Sequence, residues 1–252
     1  MRLGFIGTGT ITAHMVRGLK ASGLADWPIV VSPRNEAVAA ELAQLPGVTV
    51  AVSNQAVVEA CDLLILSVRP QVAEAVIAPL VIPADRPILS LIAGLHIATL
   101  AEWTGAVDIA RAIPLPFVER HEGVTPVYPP QPQAMQIFAA LGTALPVNDL
   151  AAYDAYAAGS ALMGSYFGLL ETAQSWLEAQ GLATVDAEAY LRGLFGNLGD
   201  VLRASPASFA QLRADHSTKG GLNEMIFQRF VQSGGGAAMQ AALTAAFQRV
   251  QG

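Results

Sequence analysis

Cysteine, lysine and charge are all scarce in this chain of 252 residues. Its one cysteine, Cys61, cannot close an internal disulfide, and at the mouth of an apolar strand it suits a small buried hydrophobe better than a reactive thiol. Charged residues make up 13% of the chain, well below the usual quarter, and the net charge is -6. That balance leaves no basic footprint for nucleic acid or for an anionic membrane, so neither is expected as a partner. Lys20 and Lys219 are the only lysines. No long apolar run is present: the stretch 155–170 is short for a membrane span and is broken by Gly159, Ser160, Gly164 and Ser165. No charged leader with an apolar signal region precedes the first strand, which points to a cytoplasmic protein. The four histidines, at 14, 96, 121 and 216, are scattered. They form no His–Asp or Cys–His constellation, and no metal-ligand set is expected.

What is present begins at residues 2–19. Arg2-Leu-Gly-Phe-Ile6 is a short apolar run suited to a buried strand, Gly7-Thr8-Gly9 follows at once, and Met15, Val16 and Leu19 then recur at helical spacing. A strand, a two-glycine turn and a helix form the opening of a dinucleotide-binding unit. Gly7 permits the tight turn. Gly9 lets the backbone of Thr8, Thr10 and Ile11 approach a pyrophosphate at the positive end of the helix. The third small residue of the usual fingerprint is here the larger, β-branched Thr12.

Strands alternating with helices continue from there. Strands are expected at 27–32, 47–52, 62–68, 86–93 and 107–112, and helices at 35–45, 54–60, 70–80 and 97–103. A last, hairpin-like strand pair at 123–128 and 143–147 flanks a helix at 132–141. From about residue 149 strand signals stop, and helices are expected at 150–180, 186–204, 206–213, 221–232 and 237–250. The fold class is therefore α/β: an N-terminal Rossmann-type doubly wound sheet (1–149) followed by an all-helical C-terminal domain (150–252). With 53% hydrophobic residues and so few charges, much of the surface should be covered, most simply by a second copy of the chain.

The second strand ends in Val31-Ser32-Pro33-Arg34-Asn35. An NAD enzyme would place an acid there to accept hydrogen bonds from the ribose 2′-hydroxyl, and none is present; Glu36 comes later, inside the helix. Ser32, Arg34 and Asn35 offer donors and positive charge instead, which suits the 2′-phosphate of NADP(H).

In order and spacing, GFIGTG (4–9), VSPRN (31–35), SVRPQ (67–71), LIAGL (91–95), RAIP (111–114) and STKGG (217–221) resemble the pyrroline-5-carboxylate reductases, which reduce a cyclic imine to proline with NAD(P)H. The resemblance covers almost the whole chain. It implies that Val68, Arg69 and Pro70 run along the cofactor's ribose and phosphates, that Asn54 lies near the adenosine, and that Ala93, Gly94 and Pro114 border the nicotinamide. It implies catalytic roles for Ser160 and Asn223, substrate binding by Thr218, Lys219, Gly220 and Gly221, and a homodimer formed through the helical domain. The match is looser there. Leu115-Pro116 follows RAIP where the family has Asn-Thr-Pro, and Leu222-Asn223 stand where its substrate loop carries two threonines.

The chemistry expected is hydride transfer to a small imine, with the cofactor supplying the reactivity. Gly220 and Gly221 at a helix start would expose backbone N–H groups to a substrate carboxylate, with Thr218 and Lys219 beside them and Asn223 adding an amide donor. Two alternatives stay open: a reductase of a different cyclic imine, and a non-catalytic NADPH-binding regulatory or scaffold protein.

Overall fold

The computed structural model describes residues 1–251. β1 (Leu3–Ile6) and β4 (Leu63–Leu66) contain no exposed residue, as apolar runs require where helices cover both faces of a parallel sheet. With β2 (Ile29–Val31), β3 (Val48–Val50), β5 (Ile88–Ser90), β6 (Ile109–Ala112), β7 (Gly123–Tyr128) and β8 (Gly142–Pro146) they form one sheet of eight strands in the order β3-β2-β1-β4-β5-β6-β7-β8. The first six are parallel, β7 runs antiparallel to β6, and β8 is parallel to β7. The chain steps from β1 outward to β2 and β3, then returns to β4 on the other side of β1. The crevice outside the carboxyl ends of β1 and β4 is where such a sheet holds a ligand.

Alternation along the strands divides the core between the two faces. Leu3, Phe5, Leu63 and Ile65 pack with Met15, Val16 and Leu19 of α1 (Thr10–Lys20), Leu42 of α2 (Glu36–Leu42) and Phe138 of α6 (Pro132–Ala140). Ile6, Leu64, Leu66 and Ile88 pack with Val57 of α3 (Asn54–Ala60), Ile77 of α4 (Ala73–Ile77) and Leu100 of α5 (Ile97–Thr104). The expected helix at 70–80 is shorter than its sequence pattern. A 3-10 turn from Pro70 to Val72 precedes α4, and Pro79 follows it closely. The strands expected as a hairpin-like pair, β7 and β8, are parallel neighbours. Helix α6 lies between them in the chain, and a helical crossover returns the chain in the same direction.

The remainder is helical: α7 (Leu150–Ser160), α8 (Leu162–Ala179), α9 (Thr184–Ala204), α10 (Phe209–Asp215), α11 (Leu222–Gln232) and α12 (Gly235–Gln251). The helix expected over 150–180 is interrupted at Ala161, just after Gly159 and Ser160. There the Ser160 hydroxyl donates back to the Ala157 carbonyl, at 2.7 Å. The chain divides into two compact units. One holds Met1–Ser160 and the last residues from Phe247, and the other holds Ala161–Ala246. Helix α7 groups with the sheet because Tyr153 packs on Tyr128 of β7, with ring centroids 5.8 Å apart. The boundary expected near 149 thus lies one helix earlier than the break between units. Among the described residues no helix is long and apolar enough to cross a membrane.

Candidate active site

The groove is built from the turn after β1. Gly7 has φ +101°, and a Cβ there would lie 2.2 Å from the Ser67 carbonyl oxygen, so the turn admits only glycine. Gly9 is the N-cap of α1. No side chain caps that helix and no acid stands in its first turn, so the first N–H groups remain available at its positive end. A Cβ on Gly9 would meet no protein atom within 4 Å, so the space above the turn is open. Free amides, a helix N-terminus and open space over a glycine fit the pyrophosphate of a dinucleotide. Thr12, at the expected third small position, is buried and donates its hydroxyl to the Gly7 carbonyl at 2.6 Å. It holds the turn by a hydrogen bond where a smaller residue would do so by close packing.

Gly7, Thr8, Gly9, Thr10, Ser32, Arg34, Asn35, Asn54, Val68 and Arg69 line this one cleft of about 670 Å³. Within it Ser32 takes a different part from the one its sequence position suggests. It is 1% exposed; its Oγ accepts the Gly7 N–H at 2.9 Å and lies 3.0 Å from Thr8 Oγ1, while Thr8 Oγ1 donates to the Ser32 carbonyl at 2.5 Å. Its hydroxyl therefore fixes the glycine turn to the end of β2 and is not free for a phosphate. Arg34 and Asn35 are exposed at the rim. Glu36, Val72 and Val76 also line the cleft and were not anticipated. Glu36 opens α2, where its charge favours the helix dipole.

Other expected positions sit around the same sheet edge. Ile6, Leu66, Ser90 and Arg111 are in register across β1, β4, β5 and β6, so the segments after these strands leave the sheet together. Pro70 follows Arg69 directly, Ala93 and Gly94 are exposed beyond β5, and Pro114 is half-buried beyond β6. Ile11 is half-buried and packs against the core beneath α1. Ser160 ends α7 with its hydroxyl engaged on its own helix.

Thr218, Lys219, Gly220, Gly221 and Asn223 belong to the helical unit, and there the expected amide site is corrected. The Gly220 N–H donates to the Glu224 carboxylate at 2.6 Å, and the Gly221 N–H donates to the Thr218 carbonyl at 2.8 Å. Both amides expected to be free are spent on closing the turn. The Asn223 side-chain amide donates to the His216 carbonyl at 2.6 Å. Thr218, Lys219, Gly220, Leu222 and Asn223 are exposed on this closed loop.

Titratable groups add no acid–base pair at the cleft. Burial pushes the Cys61 thiol up to about 11, and its Sγ donates to the Val58 carbonyl. Burial also pushes the Tyr153 phenol up, against a smaller opposite effect of Arg111. His14 bonds Glu119 and His121 bonds the Gly18 carbonyl, and neither lines the cleft. Among the described residues no three His, Cys, Asp or Glu side chains cluster as metal ligands.

An uncapped, glycine-opened helix at the reversal point of a doubly wound sheet defines a dinucleotide-binding domain. Residues 2–94 match the family model described as NADP oxidoreductase coenzyme F420-dependent. Along its full length the chain is 30% identical to the pyrroline-5-carboxylate reductase of Pseudomonas aeruginosa, covering 98% of this chain and 95% of that one. The chain belongs to the pyrroline-5-carboxylate reductase family. Its fold agrees with that of the Coxiella burnetii pyrroline-5-carboxylate reductase (TM-score 0.85, 24% identity, 99% and 97% of the two chains covered). It agrees as well with that of the Plasmodium falciparum pyrroline carboxylate reductase, solved with NADP bound (TM-score 0.80, 17% identity, 100% and 97% covered).

Proposed function

We propose that the chain is an NADPH-dependent reductase of a small cyclic imine carboxylate, with 1-pyrroline-5-carboxylate as substrate and proline as product. Full-length membership of the family carries this reading, and the cleft supports it: a dinucleotide fits the open amides of α1, and Arg34 and Asn35 supply donors for a 2′-phosphate. Bound NADPH supplies the hydride. The chain's own part is to hold the pyrophosphate on α1, to lay the nicotinamide along the segments after β5 and β6, and to orient the imine. A cyclic iminium can arrive already protonated, so no strong catalytic acid is required at the cleft. Thr218, Lys219 and Asn223 are the residues of the helical unit we assign to the substrate, through side chains and the shape of the closed loop.

We further infer a homodimer formed through the helical unit and a cytoplasmic location, the latter in keeping with a lone, buried cysteine. The test is NADPH oxidation with 1-pyrroline-5-carboxylate beside cyclic imines that lack the carboxylate. Turnover confined to the carboxylate-bearing ring is the expected result. A preference for the neutral rings would shift the substrate class, and NADPH binding without turnover of any imine would favour a regulatory protein.

A further inference from the structure

One charged pair inside the sheet unit has no part in the cofactor cleft. Arg111, on β6, is 2% exposed, and Asp154, on α7, is 3% exposed. Arg111 Nη1 and Asp154 Oδ1 stand 3.8 Å apart without a hydrogen bond, and Arg111 Nε, Nη1 and Asp154 Oδ1 have no other partner. The guanidinium lies 4.6 Å above the Tyr153 ring, which in turn packs on Tyr128 of β7. A buried ion pair in this loose geometry recovers little of its desolvation cost. Apolar residues of the same volume commonly serve stability as well or better. The pair is thus a poor device for stability alone. Its position suggests another use: Arg111 lies three residues before Pro114, and Asp154 lies on the helix that ends in Ser160.

We propose that Arg111 and Asp154 are positioning residues for imine reduction, a step that rests on the reading above. The pair fixes one register of α7 against β6 and β7, because an Arg over a Tyr ring beside a carboxylate has a direction that aliphatic packing lacks. Through that register it sets the Ile113–Pro114 backbone, whose Ile113 N–H donates to the Pro126 carbonyl at 3.3 Å, and the end of α7. The cleft for the adenosine and pyrophosphate, built on β1, β2 and β4, does not depend on it.

The deciding variant is the double replacement Arg111→Met with Asp154→Leu, which removes both buried charges together. Its Tm should equal or exceed that of the wild type, and its NADPH Kd should stay within about twofold. Its kcat/KM for the imine should fall about tenfold to a hundredfold, the cost of a small misplacement of reacting groups. Amide exchange at Ile113 and along α7 should quicken in the same protein. Arg111→Lys with Asp154 intact should recover part of the rate if a buried cation is what sets the register. Asp154→Asn alone leaves an uncompensated guanidinium and should lower the Tm. A folded double variant with wild-type imine kinetics and unchanged exchange at Ile113 would overturn the assignment. If the wild type reduces no imine, the functional reading fails by itself, while the exchange at Ile113 still decides whether the pair sets that segment.

Discussion

At residue scale the two glycines of the first turn separate folding from binding. Gly7 cannot carry a side chain, since its φ is +101° and a Cβ would meet the Ser67 backbone at 2.2 Å. Gly9 has an extended backbone, φ -98° and ψ -171°, and open space beside it. Gly7→Ala should therefore lower the Tm by several degrees, a mark of strain and backbone clash. Gly9→Val should leave the Tm near that of the wild type and abolish NADPH binding, because the new side chain fills the space over the amides. Thermal melts beside a fluorescence titration would check both; retained NADPH affinity in Gly9→Val would place the pyrophosphate elsewhere. Arg34→Ala should weaken NADPH by about 1.5–3 kcal/mol, typical of a hydrogen bond to a charged group, and leave NADH nearly unchanged. Equal affinity of the wild type for the two cofactors would remove the 2′-phosphate role. The glycine turn and the place of Arg34 on the cleft were legible in the sequence because their neighbours along the chain fix where they stand. The part played by Ser32 was not, since its partners, Gly7 and Thr8, come from the turn after another strand.

Among the elements, those legible in the sequence were the ones whose pattern is local. Continuous apolar runs marked β1 and β4, and Gly7-Thr8-Gly9 marked the start of α1. The direction of β8 lay in the helix at 132–141 and not in the strand's own residues: a helical crossover returns the chain parallel, which the hairpin-like expectation overlooked. The closed loop at 217–223 was hidden for a related reason: the carboxylate that takes the Gly220 N–H belongs to Glu224, in the first turn of the next helix. A second tie joins the segment from Pro116 to Arg120 to α1, where His14 bonds Glu119 and Arg17 lies 3.5 Å from the same carboxylate. The hydrogen bond from His14, reinforced by Arg17, holds the Glu119 carboxyl below its ordinary value of 4.5. A carboxyl titrating lower in the fold than in the unfolded chain adds stability that is full above its unfolded value. That stability is lost as the pH falls through the folded one. The Tm of Glu119→Gln should thus fall less steeply than that of the wild type below pH 4.5. The effect is small because Glu119 is partly exposed to solvent screening. Parallel melting curves across the acid range would reverse the assignment of the tie.

For the molecule as a whole, most of the exposed large apolar side chains lie in the helical unit. Phe167 and Trp176 on α8 are 64% and 63% exposed, and Tyr190, Phe209 and Ile226 are also exposed, on α9, α10 and α11. Tyr166 and Phe167 meet edge to face, at 5.3 Å between centroids, and Tyr166 meets Phe195 in the same manner at 6.0 Å. Exposed aromatic and aliphatic side chains in this number are more than a helical unit in contact with water alone usually carries. Obligate homodimer interfaces have this composition, resembling a domain core cut in half. Light scattering at micromolar concentration should therefore report at least a dimer. Phe167→Asp places a charge beside Tyr166 among these exposed rings and should shift the chain toward the monomer, because a carboxylate buried without a partner is costly to desolvate. If the substrate site is completed only in the dimer, imine turnover should fall in step with the dimer fraction as Phe167→Asp is diluted. NADPH affinity, set by the cleft on β1, β2 and β4, should not change over that dilution. A wild-type chain that is monomeric at these concentrations and still turns over would show that the exposed apolar helices serve something other than self-association.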